Sequence, residues 1–203
     1  MFPSTDSQKT IAAQSHSLPS HFEVRPAQAV DLASMAQILA DSFHSPDGFW
    51  GWAKPLLRVG IYEDLKNRLR ANLPHHICLV AFPDATNSND VNLAGTIEMA
   101  LRSNDVWHNE RRYLYISNLA VRPTQRRQGV AQQLLLNCEE VAISWGFQDV
   151  YLHVLENNHQ ARQLYFKLGY RLHQVDAGWN AWLGQPRQLF LHKPLLRPES
   201  FPE

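Results

Sequence analysis

Residues 113–145 constrain the fold more than any other part of the chain. They begin with an apolar run, 113–121, that reads as a strand. They end with Val130, Leu134, Leu135, Cys138, Val141, Ala142 and Trp145, spaced for one helix face. Between the two lie Gln125, Arg126, Arg127, Gln128 and Gly129. A strand that turns this tightly into a helix points the helix N-terminus at one end of a sheet. The first N–H groups of such a helix have no intrahelical acceptor, and its dipole adds positive potential there. Arginines and a glycine at that turn make a cradle for phosphate. Gly129 lets the backbone approach a ligand, and Ala131 adds little bulk.

The flanking sequence supplies the elements around this unit. Phe22, Glu23, Val24 and Arg25 alternate as a short strand that Pro26 ends. Leu32, Met35, Ala36, Leu39 and Phe43 share a helix face. Residues 45–60 carry Pro46, Gly48, Pro55 and Gly60 and read as an aromatic loop around Phe49, Trp50 and Trp52, with room for a short helix. Ile61, Leu65 and Leu69 restore helical spacing until Pro74. Strands are expected at 77–82 and 93–101, joined by a polar turn at 84–90. A polar loop spans 104–112. After the central helix, which Gly146 closes, come a strand at 150–155, a helix at 160–168 and final strands at 170–175 and 189–192. Antiparallel runs with two late crossover helices predict a mixed sheet in an α/β (α+β) domain. Residues 21–197 read as that single domain, between flexible tails at 1–20 and 198–203.

Charge and composition exclude several classes. Lys+Arg and Asp+Glu number 19 each, a balance unlike that of a nucleic-acid or anionic-membrane binder. No apolar run approaches the ~18 residues of a membrane span. The start of the chain lacks a secretory signal. Its serines fit a transit peptide, but the arginines of one are missing. Cys78 and Cys138 read as reduced core thiols. No Cys/His spacing resembles a zinc site, so no metal is expected. No Lys-Ser/Thr follows the glycine turn, which disfavours a nucleotide P-loop.

Three segments stand in order: Tyr115-Ile116-Ser117-Asn118-Leu119-Ala120-Val121, then Arg126-Arg127-Gln128-Gly129-Val130-Ala131, then Glu156-Asn157-Asn158 through Tyr165 to Gly169-Tyr170. In this arrangement the chain resembles the GCN5-related N-acetyltransferase (GNAT) family. The resemblance implies the GNAT fold, a mixed, mostly antiparallel sheet of about seven strands flanked by about four helices. It implies acetyl-CoA as co-substrate and no metal. Arg126-x-x-Gly129-x-Ala131 matches the pyrophosphate pattern, with Ala131 in place of a second glycine. Arg126, Arg127, Gln128, Gly129, Val130, Ala131 and Gln132 would then surround the phosphates. Leu119, Ala120 and Val121 map to the strand whose backbone meets the pantetheine arm and thioester. Asn158, Ala161 and Tyr165 map to the far wall.

Acetyl transfer needs a neutral amine, stabilisation of the carbonyl oxyanion and a proton for the departing thiolate. The resemblance gives that last role to Tyr165. Asn158 would bond the pantetheine amides, cap the following helix, or do both. The general base is open among Glu98, His153 and Glu156. His153 occupies the position of the glutamate base in the ribosomal-protein alanine N-acetyltransferases, and an imidazole titrates near neutrality.

More specifically, the chain looks like the plastid-type members and their cyanobacterial relatives, similar to enzymes that acetylate protein N-termini and lysines. That implies a protein or peptide amine as acceptor, in a cyanobacterial cytoplasm or a plastid stroma. A small arylalkylamine such as serotonin is the first alternative. An acyl-CoA-binding module without turnover would not need Tyr165. The assembly, monomer or dimer, stays open.

Overall fold

The computed structural model describes residues 22–42, 54–71, 73–83, 93–104, 111–176 and 186–195. The expected tails, the aromatics Phe49, Trp50 and Trp52, the 84–90 turn and most of the 104–112 loop lie outside the described residues. In chain order the elements are β1 (Phe22–Pro26), α1 (Leu32–Ser42), α2 (Lys54–Ala71), β2 (His76–Pro83), β3 (Gly95–Asn104), β4 (Arg111–Val121), α3 (Val130–Ser144), β5 (Asp149–Leu155), α4 (His159–Lys167), β6 (Arg171–Asp176) and β7 (Gln188–Pro194). The strands form one sheet in the order β1-β2-β3-β4-β5-β7-β6. Every neighbouring pair is antiparallel except β4 and β5, which are parallel. Seven strands and four α-helices among the described residues are the expected mixed architecture. No helix there is long and apolar enough to cross a membrane.

The sheet carries a core on each face. On one, Leu32, Met35, Ala36 and Leu39 of α1 and Leu65 of α2 pack against Cys78 and Val80. On the other, Leu134, Leu135 and Cys138 of α3 and Tyr165 of α4 pack against Leu79, Ile97, Leu114 and Leu152. Adjacent strand residues go to opposite cores because side chains alternate across a pleated strand. Both cysteines are buried free thiols. Burial pushes the Cys78 thiol up to about 12, so it packs as an apolar group.

Helix α2 corrects the sequence reading, which kept residues 45–60 as a loop with room only for a short helix. The helix begins at Lys54 and runs unbroken to Ala71. Pro55 falls in its first turn, where a missing N–H breaks no helical bond. A Cβ added at Gly60 would meet nothing within 4 Å, so no packing demand marks that position in the pattern.

Two irregularities in β4 shape the middle of the sheet. Its register with β3 shifts between Thr96 and Glu98, which face Ala120 and Ser117. One extra β4 residue is therefore bulged out, and Asn118 takes φ 53 there, a left-handed conformation that Asn tolerates better than most residues. Beyond the bulge the alternation inverts. Ile116 packs in the α3 core, whereas Ala120 packs in the α1 core. On the other side, β4 pairs with β5 only at Leu114–Val150, Tyr115–Tyr151 and Ile116–Leu152. Past those pairs the two strands part, leaving a cleft through the sheet.

Candidate active site

The turn after β4 builds the phosphate cradle. A short 3-10 turn, Pro123–Gln125, leads into Arg126, and α3 starts at Val130. Arg127 has φ 64 and Gly129 has φ 92. Left-handed residues so close together curl the backbone into a concavity lined by N–H groups. Gly129 is the N-cap, no side chain caps the helix, and the first bond of this helix runs from the Gln133 N–H to the Gly129 carbonyl. The N–H groups of Val130, Ala131 and Gln132 thus have no acceptor one turn back. A Cβ at Gly129 would meet nothing within 4 Å, so its glycine serves backbone conformation and leaves open space above the turn. Arg126, Arg127 and Gln128 are exposed beside it. Arg126 Nε donates to the Val121 carbonyl at 3.3 Å, and Gln128 Nε2 to the Thr124 carbonyl at 3.1 Å. These features fit a pyrophosphate.

Gly95, which the sequence reading did not single out, brings the cradle close to the sheet. A Cβ there would lie 2.9 Å from the Ala120 carbonyl oxygen and 2.9 Å from Val130 Cγ1. Any side chain would push α3 off β3 and β4. Leu119, Ala120 and Val121 run between this contact and the cleft. Ala120 and Val121 pair with Thr96 and Gly95, and β5 has no pair with any of the three.

Helix α4 forms the opposite wall. Asn158 is its N-cap, and its side chain accepts from the Ala161 N–H at 3.1 Å. Tyr165 is the buried residue of this helix. Its ring meets Tyr170 edge-on at 5.7 Å. Tyr170 is fully buried; its hydroxyl donates to Glu139 at 3.0 Å, and Lys193 Nζ reaches the other Glu139 oxygen at 2.5 Å. The lock ties α3, β7 and the end of α4 together behind Tyr165. Burial raises the Tyr165 phenol to about 12, with a smaller contribution from nearby Tyr115. It therefore holds its proton at neutral pH.

The three candidate bases occupy different surroundings. Glu98 is 1% exposed. Its Oε1 accepts from Arg68 at 3.0 Å and His76 at 2.8 Å; its Oε2 accepts from Asn118 at 2.6 Å and Arg68 at 3.3 Å. Burial alone would raise this carboxyl, but the His76 hydrogen bond and the Arg68 guanidinium outweigh it and hold it below the usual range. Glu156 is bound through both oxygens to Arg187, at 2.8 and 2.6 Å. His153 follows the last β4–β5 pair, on the rim of the cleft. Its ring nitrogens meet the Tyr115 hydroxyl at 2.9 Å and Asp176 Oδ2 at 2.7 Å.

Sequence spacing did not reveal that His76, Cys78 and Glu98 hold ligand-type atoms within 4.8 Å of one another. A guanidinium on the carboxylate and a thiol raised to about 12 make this set an ion-pair network rather than a cation site. Sequence reading also passed over Tyr115 and Asp176. Alternation would have put Tyr115 opposite buried Leu114 and Ile116, but no local signal joins Asp176 to His153.

A strand with a bulge, a helix N-terminus open to phosphate and a buried protonated phenol across a split sheet define a coenzyme A-dependent acyltransferase fold. Residues 32–170 match the Acetyltransferase (GNAT) family, and the chain belongs to that family. It is an acetyltransferase. Among curated proteins it is similar to GCN5-related N-acetyltransferase 10, chloroplastic, of Arabidopsis thaliana, with 26% identity over 175 residues, 80% of this chain and 67% of that protein. Among solved structures it is similar to the PaiA N-acetyltransferase of Thermoplasma acidophilum in complex with coenzyme A, at TM-score 0.62, 20% identity and coverage of 85% and 98%. It is also similar to a chain of the NatC complex bound to Gag peptide and CoA, at TM-score 0.63, 17% identity and coverage of 87% and 100%. At those identities the structures bear on the fold.

Proposed function

We propose that the protein transfers the acetyl group of acetyl-CoA to a primary amine of a protein or peptide, an N-terminus or a lysine. The observation that carries this reading is the parting of β4 and β5 after three residue pairs. It leaves a cleft whose α3–α4 side has the phosphate cradle and Tyr165. Its other side presents His153 with the open face of β5 and β7. Donor and acceptor therefore enter from opposite faces and meet at the thioester.

In this reading the N–H groups at the start of α3, with Arg126, Arg127 and Gln128, hold the pyrophosphate. Backbone groups of Leu119, Ala120 and Val121, which β5 leaves unpaired, orient the pantetheine arm and stabilise the carbonyl oxyanion. Ala161 and Asn158 flank that arm. Tyr165 protonates the departing thiolate; the rise of its phenol to about 12 keeps the proton available throughout the neutral range. His153 accepts the amine proton, because its partners leave it half-exposed at the cleft. Glu98, with three donors on two oxygens, keeps the bulge in place.

The likeness to plastid-type members supports a protein amine, and the similarity to a chloroplastic relative supports a plastid setting. A second reading, a small aromatic amine, is favoured by one observation. Tyr113, Tyr151 and Phe190 form an aromatic layer beside His153, with centroids 5.2–6.1 Å apart. Incubation with acetyl-CoA and a panel of N-terminal peptides, lysine peptides and serotonin, followed by thiol release and mass, separates the two. Silence across the panel despite tight CoA binding would sink both.

A further inference from the structure

We propose that Asn118 is a positioning residue for the transfer: tied through Glu98 to Arg68 and His76, it keeps Leu119, Ala120 and Val121 rigid where they face the thioester. The proposal rests on the reading of those three residues as the donor-facing stretch of β4, and it adds the device that holds them still.

Over residues 114–116 strand β4 has a partner on each side, β3 and β5. Beyond the bulge only β3 pairs with it. A strand edge that offers its backbone to a ligand has given up the second ladder that would stiffen it. Backbone dipoles stabilise a developing oxyanion best when they are already oriented and need not reorganise. The stretch is fastened at both ends, each time toward β3. At its far end the Arg122 N–H donates to the Ala94 carbonyl at 2.8 Å, and Arg122 Nε to the Leu93 carbonyl at 2.9 Å. At its near end Asn118 Nδ2 donates to Glu98 Oε2 at 2.6 Å.

The near tether is itself anchored. Glu98 is buried, and Arg68 reaches it from α2 at 3.0 Å while His76 reaches it from β2 at 2.8 Å. Arg68 is braced in turn by Asp64, one turn back on the same helix, at 2.8 Å. The Asn118 hydrogen bond therefore ends on a carboxylate that a helix and a neighbouring strand both fix. A hydrogen bond to an ionised acceptor is short and strong, so little play is left at the bulge.

Position 118 makes two demands at once. Its φ of 53 suits glycine, asparagine or aspartate. The Glu98 oxygen beside it requires a donor. Glycine meets the first demand and not the second. Aspartate would set two carboxylates against each other, so that one of them keeps a proton. Asparagine meets both. Its side chain touches no reacting atom and acts through the backbone that follows it. A role confined to satisfying a buried carboxylate would show in stability alone. A positioning role shows in the chemical step.

Asn118→Gly keeps the left-handed backbone and removes the tether. At a temperature where the variant is folded, kcat should fall about tenfold or more. KM and Kd for acetyl-CoA should stay within about twofold of wild type, because the phosphate cradle is untouched. Infrared spectra of acetyl-CoA with an isotope-labelled thioester carbonyl give a second readout. Binding to the wild type should lower the carbonyl stretch, and in Asn118→Gly the stretch should return toward the free value. Asn118→Asp should also lose about tenfold or more in kcat. Adding Glu98→Gln to it should restore most of the rate, because an amide then donates to a carboxylate across the same gap. Wild-type kcat and carbonyl stretch in Asn118→Gly, with only its melting temperature lowered, would overturn the proposal and leave the reading of residues 119–121 standing. A carbonyl stretch that does not move on binding to the wild type would take down that reading and the proposal with it. Should Asn118→Gly not fold, failure of Glu98→Gln to restore the Asn118→Asp rate overturns the tether.

Discussion

Among the described residues, two of the three histidine–carboxylate pairs on one face of this sheet stand in contrasting surroundings. His76–Glu98 joins β2 to β3 at 2.8 Å, and His153–Asp176 joins β5 to β6 at 2.7 Å. In the first the carboxylate is 2% exposed and its charge is matched by Arg68; in the second the carboxylate is 37% exposed and the histidine faces a phenol. Burial with a fixed counter-cation locks a proton in place and leaves it useless for exchange. Partial exposure with a hydroxyl at one end lets a proton enter and leave. The residue types barely differ, so the surroundings assign the role.

The largest effect on stability should come from breaking the closed pair. Glu98→Gln removes the buried carboxylate to which Arg68, His76 and Asn118 donate, although Arg68 keeps Asp64 at 2.8 Å, and should cost about 2 kcal/mol of stability. Denaturant unfolding would measure it, and a loss under about 1 kcal/mol would mean the pair is no lock. At a temperature where the variant is folded, transfer should continue within about threefold of wild type; a loss of about a hundredfold would return Glu98 to the candidate bases.

Next comes the phenol across the cleft. Tyr165→Phe should lower kcat about a hundredfold with acetyl-CoA affinity nearly unchanged. Single-turnover thiol release and calorimetry would separate those terms, and unchanged turnover would remove Tyr165 from the mechanism. Gly129→Val tests the donor end alone. A β-branched residue at φ 92 strains the turn by about 1–3 kcal/mol, so CoA binding should weaken about tenfold while Tyr165 and the histidine pairs stay in place.

The closed pair should also show itself in the pH dependence of stability. Glu98 is held below its ordinary value, so its contribution is complete above about 4.3 and disappears as pH falls through the folded-state value. Acid unfolding curves of wild type and Glu98→Gln should therefore converge at low pH. Tyr165 works in the opposite sense. Its phenol is raised to about 12, so its contribution holds below about 10 and is lost as pH climbs through 12. The smallest effect belongs to the third carboxylate. Glu156 is paired with Arg187 at the surface, and Glu156→Gln should change neither rate nor melting temperature measurably. A clear rate loss would reopen the assignment of the base.

Much of the donor side was legible in the chain. The strand, turn and helix from β4 to α3 are adjacent in sequence, so their periodicity, their glycine and their arginines report directly on one local structure. Tyr165 was legible for the same reason, as part of a short helix with an N-cap at Asn158 and a glycine stop. Helix α2 was misread at its start because Pro55 and Gly60 resemble loop residues wherever packing does not speak. The acceptor side was mostly illegible. Tyr115 and His153 are 38 residues apart, His153 and Asp176 23 apart, and Arg68 and Glu98 30 apart.

Sequence alone thus determined most of the strands and helices, and that a turn with arginines and a glycine opens α3, because those properties depend on near neighbours. Tertiary structure decided where β4 bulges, where it leaves β5, and which histidine is sealed and which is open. Those depend on register between distant strands, and one extra residue at Asn118 is enough to reverse which face the next side chains take.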